Sequence, residues 1–130
     1  SALFKVCGNL ERIGDHAVNI CEYTKMIEEK NITFSKEVIG EIAQMREICV
    51  KALSKVESID NGINVAEIAS IEEKIDEMTE QFRKNQIDRM QVGKCSDEGC
   101  VLYSEMLTDF ERIGDHILNV GQEMAGAVNE

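Results

Sequence analysis

Leu-Glu-Arg-Ile-Gly-Asp-His-Ala-Val-Asn-Ile occupies residues 10–20, and Phe-Glu-Arg-Ile-Gly-Asp-His-Ile-Leu-Asn-Val occupies residues 110–120. The hexapeptide Glu-Arg-Ile-Gly-Asp-His therefore recurs at 11–16 and 111–116. Around the first copy, apolar residues fall at Leu3, Val6, Leu10, Ile13, Ala17, Ile20 and Ile27, with Thr24 filling one place. Steps of three and four in alternation mark one stripe of a helix. Around the second copy the stripe is Tyr103, Met106, Phe110, Ile113, Ile117, Val120, Met124 and Ala127. The two segments read as two copies of one helix.

Two further helices lie between them. One is predicted from Ser35, with the stripe Val38, Ile42, Met45, Cys49, Ala52, Val56 and Ile59, and with Phe34 and Ile39 placed for a hydrophobic staple. Asn31 is a stop for the helix before it, and Asp60-Asn61-Gly62 supplies turn chemistry after it. The next helix opens on Asn64 with Glu67 three residues on, close to a capping box, and Ile63 and Ile68 offer a second staple. Its stripe is Ile68, Ile71, Ile75, Met78 and Phe82, polar residues take over near Asn85, and Gly93 breaks it. Ser96 caps the last helix, with Asp97 and Glu98 where the helix dipole favours negative charge. The expected fold is all-α: an up-down bundle of four long helices in one domain, 1–130. With a three-helix repeat ending in the hexapeptide helix, residues 1–30 are the last helix of a preceding repeat and 34–128 a complete one.

Composition agrees with long helices. The 130 residues include no proline, which would break them, and charged residues make up 30%. The net charge of −11 disfavours nucleic acid and anionic headgroups and suits cations and basic surfaces, although solubility alone accounts for it equally. No apolar run approaches the roughly 20 residues that cross a bilayer. Of five cysteines, Cys7, Cys21 and Cys49 sit on apolar stripes and read as small buried hydrophobes. Cys95 and Cys100 lack a zinc-knuckle spacing. All five are expected reduced, in a cytosolic setting.

The carboxylates follow the same periodicity. Glu11 and Asp15 stand four apart on the face opposite Leu10 and Ile13; Glu111 and Asp115 repeat this, and Glu72 and Asp76 form a third pair. Side chains four apart on a helix are neighbours, and such pairs on adjoining helices can converge on a hard cation. A solvated helix also tolerates them, since like charges at this spacing cost only about 0.2–0.5 kcal/mol. Gly14 and Gly114, at the stripe's edge, predict close approach of a neighbouring helix. His16 and His116 lie between the carboxylate face and the core and read as packing residues. Arg12 and Arg112 are expected to offset nearby acids.

The two eleven-residue segments closely resemble the signature of the PhoU family. That resemblance implies two three-helix bundles, Glu/Asp-x-x-x-Asp motifs able to hold iron or zinc clusters, and regulation of phosphate uptake and phosphate-starvation signalling. The run Glu72-Glu73-Lys74-Ile75-Asp76, then Gly93-Lys94-Cys95, then the second hexapeptide, resembles the cytoplasmic C-terminal PhoU-like region of bacterial Na⁺/phosphate cotransporters. It implies metal residues Glu72, Asp76, Glu111 and Asp115 in the complete repeat, and Glu11 and Asp15 as half of a site whose partner motif lies upstream. It implies a transmembrane transporter portion, or transporter and sensor proteins, as partners. A stand-alone regulator of a phosphate ABC transporter and a structural, homodimerising module are the other readings. A di-iron enzyme is disfavoured, because such sites use Glu-x-x-His and here each His follows the motif Glu by five.

Overall fold

The computed structural model describes residues 1–57 and 64–129, with side chains through residue 126. Four helices follow in order: α1 (Ala2–Glu29), α2 (Lys36–Glu57), α3 (Val65–Gln91) and α4 (Asp97–Asn129). The predicted punctuation operates where it is described. Asn31 takes φ 55° after α1, Ser35 Oγ accepts from the Val38 amide at 3.3 Å, and Asn64 Oδ1 accepts from Glu67 at 3.0 Å. Gly93 turns the chain at φ 70°, and Ser96 Oγ accepts from Gly99 at 3.1 Å. Ile59, the Asp60-Asn61-Gly62 turn, the Ile63 half of its staple and the Ala127 side chain lie outside what is described. Phe34 leans on the Tyr103 ring, with centroids 6.2 Å apart, while Ile39 is 58% exposed. Phe34 thus covers part of α4.

Helices α2, α3 and α4 form the core. Val38, Met45, Ala52 and Val56 meet Ile68, Ile71, Ile75 and Phe82, and both sets close on Tyr103, Leu107, Phe110, Ile113, Ile117 and Val120. Each fully buried aliphatic or aromatic side chain contributes roughly 1.5–3 kcal/mol. From α2 to α4, neighbours in sequence run antiparallel, as predicted: Lys55 at the end of α2 pairs with Glu67 at the start of α3 at 2.9 Å, and Ile75 of α3 meets Gly114 of α4.

Helix α1 departs from expectation. It lies chiefly along α4, and none of its residues is buried. Val6, Ile13 and Ile20 pack on the core's edge, but Leu3 and Leu10 remain largely exposed, as do Cys7 and Cys21. The stripe is real, yet one neighbour covers only part of a helix. Cys49 is buried as expected, and burial pushes its thiol up to about 12. The expectation of five reduced thiols fails at Cys95 and Cys100, which are disulfide-bonded. A capped helix start folds the preceding residue back over the first turn, a proximity that spacing alone does not reveal.

The core also contains a polar bridge that the apolar stripes hide. Glu41, on the buried side of α2, accepts from Arg89 Nη2 at 2.6 Å, Tyr103 Oη at 2.6 Å and Asn85 Nδ2 at 2.8 Å. Burial raises Glu41's affinity for a proton, but these bonds and the Arg89 charge outweigh it and hold the carboxyl below its usual range. So α3 does not turn to solvent near Asn85. Its last turns exchange apolar contact for hydrogen bonds, with Gln86 also buried. Among the described residues, no buried side-chain nitrogen or oxygen lacks a partner, and no helix is long and apolar enough to cross a membrane.

Candidate metal site at the α3–α4 contact

The site begins with an absent side chain. A Cβ added to Gly114 would stand 2.9 Å from Ile75 Cδ1 and 3.3 Å from its Cγ2. Glycine therefore lets α4 approach α3 at Ile75, which is fully buried. One residue beyond each contact partner is an aspartate, Asp76 and Asp115. Glu72, one turn before Asp76, completes a group in which one carboxylate oxygen from each residue lies within 4.8 Å of the others. Glu111, one turn before Asp115, lies beside them in a shallow depression with Asp76, Thr79 and Arg83. Four of the six residues singled out by sequence thus share one face of the α3–α4 pair.

Glu11 and Asp15 do not join them. They are exposed on α1, and Gly14 between them has nothing within 4 Å of a Cβ position. The close approach predicted at both glycines occurs at Gly114 alone, because α1 has no equivalent of α3 beside it.

Electrostatics mark the cluster as frustrated. Glu72 is pushed up to about 8, first by burial, then by hydrogen bonding with Asp76 and Asp115, then by their charges. Glu111 is raised by burial and by the charges of Asp76 and Asp115, with Arg83 and Arg112 opposing. Arg83 donates to Ser104 Oγ at 3.0 Å and Thr108 Oγ1 at 2.8 Å, so neutral hydroxyls hold it beside the acids. An all-oxygen carboxylate set suits a hard cation. The residues present therefore fit a metal.

A second constellation, at the α1–α4 seam, holds the histidines. His16 and His116 stack with ring centroids 5.6 Å apart. His16 Nδ1 lies 2.7 Å from Asp109 Oδ1, which also accepts from Asn19 Nδ2 at 3.3 Å. His116 Nδ1 lies 3.0 Å from Asn9 Oδ1, with Asn119 Nδ2 at 3.5 Å. Burial, then the neighbouring His16 ring, lowers His116 below the usual imidazole value. The seam gives both histidines packing roles. Asp109, only 5% exposed, went unnoticed in the sequence. Its signal was available: the one-hundred-residue offset aligns it with Asn9, a polar residue immediately before a stripe position in both copies.

Four helices, a glycine-mediated contact and a carboxylate face define the class. The PhoU domain family matches residues 1–24 and 42–124, and the chain belongs to that family. It is 29% identical over 127 residues to the phosphate-specific transport system accessory protein PhoU homolog 1 of Thermotoga maritima, across 94% of this chain and 53% of that protein. The chain thus spans about half the length of the curated relative it matches. No solved structure matches it.

Proposed function

We propose that this chain is a non-enzymatic regulatory domain of phosphate transport, seated in the cytoplasmic part of a Na⁺/phosphate cotransporter. Its family membership and its relative's designation as a transport accessory protein support the regulatory role. The resemblance of residues 71–117 to the cotransporter region supports the finer assignment. Its partner is then the transmembrane portion of the transporter. A stand-alone accessory protein is the second reading, favoured by the name of the Thermotoga relative.

The observation that carries the metal-binding part is the convergence of Glu72, Asp76 and Asp115 where Ile75 meets Gly114. These three carboxylates, with Glu111 beside them, would hold iron or zinc. When bound, the ion supplies the positive charge that the cluster lacks. The residues do the rest: Gly114 and Ile75 set the helix separation, and Arg83 balances Glu111. Glu11 and Asp15 are half of a second site. Residues 1–30 end a preceding repeat and 34–128 form a complete one. The contrast between Leu3, 73% exposed, and its counterpart Tyr103, fully buried, supports that division.

Metal content measured by plasma emission tests the site. Glu72→Ala and Asp115→Ala should each lower bound iron or zinc after dialysis, with release of about one proton per ion taken up at pH 7 by the parent chain. Content unchanged by both substitutions removes the assignment. Phosphate uptake by cells carrying the full-length gene separates the two transport readings. Sodium-dependent uptake supports the cotransporter; sodium-independent uptake with an altered phosphate-starvation reporter supports the accessory protein.

A further inference from the structure

Cys95 and Cys100 are joined, with Cα atoms 6.4 Å apart. Their position relative to the start of α4 gives the bond its meaning. Ser96 caps the helix: its Oγ accepts from the Gly99 amide at 3.1 Å and its carbonyl from the Cys100 amide at 2.9 Å. Cys95 is therefore the residue before the cap, and Cys100 is the fourth residue of the helix. Apolar side chains at those two positions often pack as a staple that fixes how the chain enters the helix. Here the staple is covalent.

The two sulfurs differ in surroundings. Cys95 is half-buried on the turn after Gly93. Cys100 is 8% exposed and lines a largely apolar groove between α3 and α4 with Ile87, Met90 and Val101. Its Sγ accepts from Gln86 Nε2 at 3.3 Å. It also sits in the first turns of a 33-residue helix, where the positive end of the dipole favours a thiolate. Asp97 and Glu98 in the same turn oppose this in part. Attack at Cys95, the more exposed residue of the pair, releases the thiolate that has a hydrogen-bond donor waiting.

We propose that Cys95–Cys100 is a thiol–disulfide exchange site for low-molecular-weight thiols, and that its redox state sets the order of the first turn of α4. A thiolate R–S⁻ attacks Cys95 Sγ; the S–S bond breaks and its electron pair leaves on Cys100. A second R–S⁻ attacks the R-side sulfur of the mixed disulfide and releases Cys95 as thiolate. Two R–SH are oxidised to R–S–S–R, the protein disulfide gains two electrons, and two protons end on Cys95 and Cys100. The symmetrical disulfide R–S–S–R drives the reverse reaction. The effect reaches beyond one turn. A Cβ at Gly99 would stand 3.3 Å from Ile32 and 3.4 Å from Phe34, and Glu98 pairs with Lys30, so this turn presses on the α1–α2 connection.

The test uses the folded chain in a Cys7→Ser/Cys21→Ser background, equilibrated in glutathione or glutathione disulfide. Peptide mass mapping reads residues 95 and 100, and hydrogen exchange reads the amides from Asp97 to Val101. The pair should open in excess glutathione without denaturant and close again in excess disulfide. The Gly99 and Cys100 amides should exchange about tenfold faster in the reduced form. Cys95→Ser, which alters only the half-buried partner, should show the faster rate in both buffers. A pair that opens only on unfolding, or amides that exchange equally in both forms, overturns the proposal; the redox comparison needs no cysteine variant at the pair.

Discussion

Ile75 Cδ1 occupies space 2.9 Å from where a Cβ on residue 114 would stand, whereas the matching space at Gly14 is open. The same hexapeptide glycine therefore has opposite consequences in its two copies. Gly114→Ala gains helix propensity of about 1 kcal/mol but overpacks the Ile75 contact by about 1–3 kcal/mol. Gly14→Ala gains the propensity without the clash. Urea midpoints should fall for Gly114→Ala and rise for Gly14→Ala; a shift in the same direction for both contradicts the contact.

The Glu41 bridge predicts acid sensitivity. Its carboxyl is held below its unfolded value near 4.5, so its contribution is present above that pH and is lost as pH falls through the folded value. Glu41→Ala strands Arg89, whose side chain is 12% exposed, and should cost about 3 kcal/mol. A urea titration at pH 7 measures this, and a cost under about 0.5 kcal/mol would mean that the bridge adds nothing.

Glu72 predicts the opposite pH trend in cation-free protein. Its folded value is raised to about 8 from 4.5. The stability it contributes is full below 4.5 and is lost as pH rises through about 8. Thermal midpoints should decline across that window, and Glu72→Gln should flatten the decline. A parent chain already flat across the same range argues against the raised carboxyl.

Asp109 predicts the fate of α1. Asp109→Ala removes the acceptor shared by His16 and Asn19, at a cost of about 1–3 kcal/mol. Because none of α1 is buried and it packs chiefly on α4, hydrogen exchange should quicken along α1 before α2 and α3. Uniform quickening along the whole chain would show that the seam is not an independent unit.

The fold was legible because periodicity and caps act locally. Ser35, Asn64, Ser96 and Gly93 each do what their residue type dictates within one turn of chain. The exposure of Leu10 was not legible, because a stripe states which face wants cover and not whether a neighbour supplies it. Glu41 was missed for a related reason: an acid beside Ile42 reads as the edge of a stripe until Arg89 and Tyr103 arrive from other helices. Within the candidate site, the spacing of Glu72, Asp76, Glu111 and Asp115 placed each pair on one helix face. Their convergence depended on the Ile75–Gly114 contact, which is tertiary.

The histidine seam carries one more consequence. Residue 16 meets residue 109 and residue 116 meets residue 9, so exchanging the two helices leaves the pairing unchanged. That is the rule of an isologous interface, in which one patch recognises its own copy across a two-fold axis. Two separate copies of such a helix would make this same joint, and linking them in one chain makes it permanent. Sliding α1 by one turn would break both clamps together, so the joint works as a register lock. Among the residues of the two clamps, only Asn9 against Asp109 differs, and that difference tells the clamps apart.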